Sequence, residues 1–181
     1  MADSILITGG AASGKARFAV TNFAALDYVL YLRVGEELDT DIKNRIDFST
    51  QKSGVEWDIV HKQTLTPSDE VKDHKFVIFD SVSAYTRLVM KEMCPNESNL
   101  NDNTKKQIEK RVIDGITALL DKVGENHGNI AIITLETGFS IKPSDPMLLA
   151  YRDILGRVNQ RIANSCGEAY FSVSGIQFKI R

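Results

Sequence analysis

Residues 4–16 have the sequence SILITGGAASGKA, an apolar run followed by a loop of small residues and a lysine. The apolar run from Ser4 to Thr8 predicts a strand that is buried on both faces. Residues 9–15 fit the pattern G-x-x-x-x-G-K, and a helix is expected from Lys15 to Ala25. Strand, loop and helix in this order predict a phosphate-binding loop at a helix N-terminus, where backbone N–H groups surround phosphate oxygens.

The loop and the two residues that end it are the expected nucleotide-binding residues. They are Gly9, Gly10, Ala11, Ala12, Ser13, Gly14, Lys15 and Ala16. Lys15 is expected to reach the outer phosphates. Ala16 stands where such loops usually carry a Ser or Thr whose hydroxyl binds Mg²⁺, and a methyl group cannot coordinate a metal. The alternative is a Gly-rich junction between strand and helix that binds no ligand.

A second strand-end residue, Asp80, completes the expected site. Residues 75–80 read KFVIFD, which predicts a strand that ends on a carboxylate. Ligands of parallel sheets bind at the carboxyl ends of strands, so Asp80 is expected to lie near Lys15 and to hold Mg²⁺. The alternative is a surface or N-capping Asp ahead of Ser81.

The remainder of the chain alternates strand and helix patterns. Strands are predicted at 27–32, 57–60, 129–134, 169–173 and 176–180, and helices at 39–49, 83–91, from Thr104 and from Asp145. Thr104 to Gln107 resembles a capping box, and Asp145-Pro146 is typical of a helix start. Residues 63–73 are predicted to be a loop or an irregular helix, and residues 94–102 are predicted to be a loop. This alternation predicts an α/β fold with a mostly parallel sheet and helices on both faces.

Length and composition narrow the class of protein. The 181 residues are 43% hydrophobic and 25% charged, with a formal net charge of -2, which predicts one soluble domain over residues 1–181. A near-neutral chain gives no support for nucleic-acid binding. No apolar stretch approaches the roughly 20 residues of a membrane span. The first residues carry no secretory signal, and the two cysteines match no metal or redox spacing, so a cytoplasmic location is expected.

The chain resembles the family of bifunctional cobinamide kinases and cobinamide-phosphate guanylyltransferases. The residues that carry the resemblance are ITGGAASGKARFA at 7–19, YLRVGEELDTDIKNRI at 31–46, Trp57, FDSVS at 79–83, LETG at 135–138, Pro143, YRDILGRVNQRIA at 151–163 and VSGI at 173–176. The resemblance implies a RecA-like P-loop NTPase fold and a homotrimer. It also implies ATP or GTP as phosphoryl donor, with Mg²⁺, and adenosylcobinamide as acceptor, followed by transfer of GMP from GTP to the phosphorylated product.

The resemblance fails at the residue that carries guanylyl transfer. The family uses a guanylylated histidine in an Arg-Ile-x-x-His pattern, whereas Arg45 and Ile46 are followed here by Ser49 in the histidine's place. Ser49 is therefore the candidate that would have to replace this nucleophile, and a serine hydroxyl is a poor nucleophile without an activating base. His61 stands where the family has a glutamate, and it is a candidate nucleotide ligand. His74 and His127 are expected to be solvated surface residues.

Two further residues are candidates for the nucleotide site. Glu136 follows the strand at 129–134, and it is expected to line the same rim as Lys15 and Asp80, where a carboxylate can orient a hydroxyl. Its alternative is a capping or surface carboxylate. Arg33 follows the second strand and is a candidate to face phosphates, with an ordinary exposed arginine as the alternative.

Three functional hypotheses stay open. The first is a kinase of adenosylcobinamide, in which Lys15 neutralises the transferred phosphoryl group and guanylyl transfer is in doubt. The second is a nucleotide- or corrinoid-binding protein of the same fold that is catalytically decayed or repurposed, which Ala16 and Ser49 favour. The third is a P-loop kinase of a different small alcohol.

Overall fold

The computed structural model describes residues 3–63, 67–95 and 100–181. Seven strands form one sheet in the order β3-β2-β4-β5-β1-β6-β7. The strands are β1 (Asp3–Gly9), β2 (Val29–Val34), β3 (Trp57–Lys62), β4 (Phe76–Asp80), β5 (Asn129–Ile133), β6 (Glu168–Val173) and β7 (Ile176–Lys179). All neighbouring strands are parallel except the antiparallel pair of β6 and β7. The predicted mostly parallel α/β sheet is confirmed.

Within the described ranges, five α-helices connect these strands. They are α1 (Lys15–Phe23), α2 (Thr40–Ser53), α3 (Val82–Met93), α4 (Asp102–Glu125) and α5 (Pro146–Ser165), with a short 3-10 helix at Pro67–Glu70. Successive strand residues enter opposite faces of the sheet. Leu30 and Leu32 belong to a buried cluster with α3, α4 and α5, whereas Tyr31 belongs to a second cluster with α1 and α2. The sheet is therefore covered by helices on both faces, as predicted.

The long helix α4 buries the face that its periodicity predicts. Its apolar residues recur at helical spacing, and each is at most 1% exposed. They are Ile108, Val112, Ile116, Leu119 and Val123. This stripe packs against α3 and α5, and it fixes the layer of helices on one side of the sheet.

The start of α4 corrects a sequence prediction. The N-cap is Asn101 rather than Thr104, and the Asn101 side chain accepts a hydrogen bond from the backbone N–H of Thr104 at 2.9 Å. Asn caps helices as well as Thr does. The sequence therefore offered two possible N-caps, Asn101 and Thr104, and the local pattern did not decide between them. By contrast, α5 begins as predicted, since Asp145 caps it and Pro146 is its first residue.

Strand β2 begins two residues later than predicted. Asp27 forms a turn, because its carboxylate accepts hydrogen bonds from the backbone N–H groups of Tyr28 and Glu56. Tyr28 has a φ of 54°, which is incompatible with a strand. The predicted loops at 63–73 and 94–102 lie partly outside the described residues.

The register of the sheet places the site. Arg33 of β2 pairs with Asp80 of β4, Asp80 pairs with Ile133 of β5, and Ile133 pairs with Ile7 of β1. These residues lie at the carboxyl ends of four parallel strands. The phosphate-loop sequence leaves β1 at this edge, which is where ligands of open α/β sheets bind.

Candidate nucleotide site

The side chain of Lys15 lies inside the loop that precedes it. Its ammonium donates hydrogen bonds to the carbonyl oxygens of Gly9 at 3.1 Å and Gly10 at 2.5 Å, and to the hydroxyl of Ser13 at 3.4 Å. Lys15 is buried, and this burial lowers its pKa to about 8, although the charge of Asp80 partly offsets the effect. Lys15 and Asp80 are therefore electrostatically coupled at the sheet edge.

The loop rests on the C-terminal hairpin of β6 and β7. The backbone N–H of Gly175 donates to the carbonyl of Ser13 at 3.0 Å. Gly9 has a φ of 150°, and a Cβ there would lie 2.3 Å from the carbonyl oxygen of Ser172. Only glycine can bring the loop this close to β6, so the small residues of the loop serve packing as well as ligand binding.

Asp80 is held by two side chains of the neighbouring strand. Its Oδ2 accepts a hydrogen bond from the hydroxyl of Tyr31 at 2.7 Å and forms an ion pair with Nη1 of Arg33 at 2.7 Å. Tyr31 and Arg33 share one face of β2 because they are two residues apart. Burial, and then the charge of Asp80, raise the pKa of Tyr31 well above its ordinary value, so its hydroxyl keeps the proton that it donates.

These groups open onto a cavity of about 860 Å³. One wall is the loop from Ala11 to Lys15 with Ala16, a second is formed by Arg33 and Asp80, and a third comes from the start of α2. The helix α3 contributes the cations Arg87 and Lys91. The volume lies within the range of small-molecule sites.

The side chains of Ser49 and Glu136, both predicted to belong to the site, lie outside this cavity. Ser49 is on α2 but does not line this cavity; it lies two turns, about 10.5 Å along the helix axis, beyond Ile42, which does. The Glu136 carboxylate accepts a hydrogen bond from the backbone N–H of Gly138 at 2.8 Å and lines a second cavity of about 470 Å³ beside α5. The backbone N–H of Glu136 donates a hydrogen bond to the carbonyl oxygen of Gly9 at 3.0 Å, which joins this residue to the phosphate loop.

His61 borders the site without lining the cavity. It is the register partner of Arg33 in β3, and its Nε2 is 2.6 Å from the carbonyl oxygen of Gly35, a residue of the cavity wall. His61 is thus placed to position the turn after β2.

The prediction for His74 was wrong, whereas His127 is exposed as expected. The side chain of His74 is only 16% exposed, with Nδ1 2.9 Å from the carbonyl of Val71 and Nε2 2.8 Å from Asp58. His74 joins the segment before β4 to the outer strand β3, which is a structural role.

Sequence reasoning missed Tyr31 and the cations of α3. Tyr31 is fully buried in β2, two residues before Arg33 of the same strand. That spacing is the one signal in the sequence that could have paired it with a strand-end acid. Arg87 and Lys91 stand four residues apart on α3, so they share a helix face, but the sequence does not say which face meets the site.

Two residues at the phosphate loop, Ala16 and Asp80, are poorly suited to hold a Mg²⁺ ion. Ala16 supplies no hydroxyl, and Oδ2 of Asp80 already has a donor and a cationic partner. Within residues 3–63, 67–95 and 100–181, no three His, Cys, Asp or Glu side chains are grouped as metal ligands would be. Asp80 was expected to hold Mg²⁺, but its carboxylate is already paired with the positive charge of Arg33.

Across the same described ranges, no helix has both the length and the apolar character that crossing a bilayer requires.

Comparisons with known proteins agree with this architecture. The sequence profile of the family described as "Cobinamide kinase / cobinamide phosphate guanyltransferase" matches residues 5–180. The "Bifunctional adenosylcobalamin biosynthesis protein CobU" of Salmonella typhimurium is 30% identical over 98% of this chain and 99% of its own length. The protein of the same name from Escherichia coli is 28% identical over the same shares, and the CobP protein of Pseudomonas aeruginosa is 24% identical over 97% and 96%.

Solved structures of ATPases share the fold. An ATP synthase subunit, NeqB of Nanoarcheaum equitans, has a TM-score of 0.52 with 11% identity over 93% of this chain and 45% of its own. An ATPase of a bacterial type III secretion system has a TM-score of 0.51 with 11% identity over 94% and 52%. The chain spans about half the length of these structures, and the likeness concerns the fold alone.

Proposed function

Because the chain belongs to the cobinamide kinase / cobinamide phosphate guanyltransferase family, we propose that it is a nucleoside-triphosphate-dependent kinase of adenosylcobinamide. The observation that carries the proposal is the position of Lys15. Its ammonium lies in a G-x-x-x-x-G-K loop on a cavity that Asp80 and Arg33 also line. The relatives from three bacteria are named for adenosylcobalamin biosynthesis and match over nearly their full lengths, which supports the same pathway for this chain.

The proposed reaction transfers the terminal phosphoryl group of ATP or GTP to an alcohol. The oxygen of the acceptor hydroxyl forms a bond to the γ-phosphorus while the bond from that phosphorus to the β–γ bridging oxygen breaks. The nucleoside diphosphate leaves with the bridging oxygen, and the hydroxyl proton is released to solvent. Such transfers depend on positioning and on neutralising charge.

The chain's own residues supply both requirements. The loop N–H groups and the start of α1 position the β- and γ-phosphates. Lys15 exchanges its contacts with the loop carbonyls for the phosphate oxygens and neutralises the group in transit. Arg33 adds a second fixed charge beside Asp80.

We propose that guanylyl transfer by a covalent enzyme intermediate is lost in this chain. Ser49 replaces the family's histidine, and its position on α2 is two turns from the residue that lines the cavity. Among the described residues, no base is hydrogen-bonded to the Ser49 hydroxyl, so the serine is not activated as a nucleophile.

A second function is favoured by the two departures at the metal position. Ala16 and the Arg33–Asp80 ion pair fit a protein that binds nucleotide or corrinoid without turnover. The double variant Ala16→Ser with Ser49→His tests this alternative. Gained phosphoryl or guanylyl transfer identifies a decayed site, whereas no gain indicates that the pocket has diverged further.

The decisive test is incubation of the purified protein with adenosylcobinamide, Mg²⁺ and either ATP or GTP, followed by mass spectrometry of the corrinoid. We expect a gain of one phosphate and no further gain of GMP. Lys15→Ala is expected to abolish the transfer while the protein stays folded. An unchanged corrinoid, with nucleotide binding intact, contradicts the kinase and supports the binding protein.

Homotrimer formation and a cytoplasmic location remain predictions, the first from the family resemblance and the second from composition. Light scattering during size-exclusion chromatography measures the first directly.

A further inference from the structure

In this chain, neither of the two protein groups that usually place a cation beside a phosphate loop is free to do so. Those groups are a hydroxyl directly after the loop lysine and a carboxylate at a strand end. Position 16 carries a methyl group, and the strand-end carboxylate of Asp80 is bound to Arg33 at 2.7 Å. The cation that accompanies Asp80 is thus a side chain of the protein itself.

Arg33 is fixed in place by three constraints. Its strand β2 lies beside β4 with Arg33 in register with Asp80. Its Nη1 forms the ion pair with Asp80, and its Nε donates to the carbonyl of Glu36 at 2.9 Å. The Tyr31 hydroxyl holds the same carboxylate oxygen. A guanidinium held at two nitrogens loses little further conformational freedom when a ligand binds.

The same guanidinium remains accessible to a ligand. The Arg33 side chain is 20% exposed, and it lines the cavity with Lys15 and Asp80. Of the five N–H donors of a guanidinium, two face Asp80 and Glu36 among the residues that the structure describes, which leaves three for phosphate oxygens. Arginine is charged at every physiological pH and matches phosphate geometry with paired donors.

We infer that Arg33, anchored by Asp80, is a built-in cation that takes the place of a protein-held Mg²⁺ in binding the triphosphate, so that nucleotide binding does not require a divalent ion. The inference rests on the proposed function, because it requires a triphosphate in this cavity. It extends that function, because the positive charge beside Asp80 is supplied by Arg33 and not by a metal ion.

The test is equilibrium binding of fluorescent ATP and GTP analogues, measured once with excess Mg²⁺ and once with EDTA. We expect the affinity of the unaltered protein to differ by less than about threefold between the two conditions. This is well below a tenfold change in affinity, which corresponds to about 1.4 kcal/mol. Arg33→Ala is expected to weaken binding in EDTA at least about tenfold. Arg33→Lys, which keeps a charge but loses the paired donors, is expected to fall between the two.

A double variant tests whether a bound Mg²⁺ can replace the charge of Arg33. In Arg33→Ala with Ala16→Ser, the restored hydroxyl and the released Asp80 carboxylate form the donor pair that Mg²⁺ uses. We expect this double variant to bind nucleotide only when Mg²⁺ is present. Circular dichroism and thermal melting verify that each variant is folded, since Arg33→Ala leaves Asp80 buried without its cation.

Three results overturn the inference. Loss of more than tenfold in affinity when EDTA is added to the unaltered protein is the first, and it needs no variant. The second is a folded Arg33→Ala protein whose ratio of affinities with and without Mg²⁺ equals that of the unaltered protein, which identifies a purely structural ion pair. If the unaltered protein binds no nucleotide in either condition, the proposed function fails and the inference fails with it.

Discussion

The backbone N–H of Gly175 donates a hydrogen bond to the carbonyl oxygen of Ser13 at 3.0 Å, which joins the β6–β7 turn to the phosphate loop across most of the chain. A second contact reinforces the first, because Gly9 packs against the carbonyl of Ser172. The shape of the nucleotide loop therefore depends on a hairpin that contributes no residue to the cavity lining.

This dependence predicts unequal effects at two adjacent glycines. At Gly9, an added Cβ would lie 2.3 Å from the Ser172 carbonyl oxygen, whereas at Gly10 it would meet nothing within 4 Å. We expect Gly9→Ala to lower the free energy of unfolding by about 1–3 kcal/mol, as overpacking does. Gly10→Ala should change it by less than about 0.5 kcal/mol. Urea denaturation compares the two, and equal losses would show that the hairpin does not confine the loop.

The buried ammonium of Lys15 predicts a pH dependence of nucleotide binding. Its pKa is about 8 in the free protein, which is below the ordinary lysine value of 10.5 because the ammonium is buried. Raising the pH through 8 therefore removes the charge that holds the phosphates, and affinity should fall roughly tenfold or more by pH 9.5. Lys15→Arg is the matched control, since its guanidinium does not titrate there. Binding titrations at pH 7 and pH 9.5 measure both proteins, and a parallel decline in the control would refute the assignment to Lys15.

The same pKa has an opposite consequence for stability. Because the folded protein releases the Lys15 proton more readily than the unfolded chain does, the unfolded state binds more protons between pH 8 and about 10.5. The contribution of Lys15 to the free energy of unfolding therefore increases as the pH rises through that window. Thermal melts of the free protein and of Lys15→Met over this range isolate it, and a difference between them that does not vary with pH would contradict it.

The hydroxyl of Tyr31 predicts a loss of stability without a change of shape. Tyr31→Phe removes one donor from the buried Asp80 carboxylate, and hydrogen bonds to charged groups contribute about 1.5–3 kcal/mol. Tyr28→Phe is the control, because Tyr28 is 64% exposed at the entrance to the same strand. Chemical denaturation should show a loss for the first variant alone. Matching midpoints for both variants would mean that Arg33 suffices to hold Asp80.

Two helix glycines offer a test of packing on the opposite face of the sheet. A Cβ at Gly115 of α4 would lie 2.3 Å from the Tyr85 hydroxyl oxygen, whereas Gly156 of α5 faces open space. Both substitutions gain about 1 kcal/mol of helix propensity as Ala. We expect Gly156→Ala to stabilise the protein and Gly115→Ala to destabilise it by about 1–3 kcal/mol. Thermal melting decides the point, and stabilisation by both would show that Tyr85 moves aside freely.

The sequence predicted those parts of the candidate site that are formed by consecutive residues. The loop from Gly9 to Lys15 and the strand that ends at Asp80 are each readable from consecutive residues, and the structure brings them to one cavity. The partnership of Tyr31 with Asp80 was not readable, because it depends on which strands are neighbours. Local pattern places Tyr31 only within its own strand.

The misplaced predictions have the same physical origin. Glu136 follows the correct strand, but in the turn after β5 its carboxylate accepts a hydrogen bond from the backbone N–H of Gly138 and lies beside α5. His74 was expected in solvent because its partner, Asp58, is 16 residues away in an outer strand. Side-chain direction after a strand end and contacts between distant segments arise from packing, which a single sequence does not specify.

The position of β1 in the sheet has a consequence for synthesis of the chain. β1 is synthesised before both of its neighbours in the sheet, because β5 and β6 follow residue 128. While the ribosome is still translating α4, the strand that begins the nucleotide loop has two open edges and no sheet partner, which is the condition under which apolar strands aggregate. Nucleotide therefore has no formed loop to stabilise during most of translation.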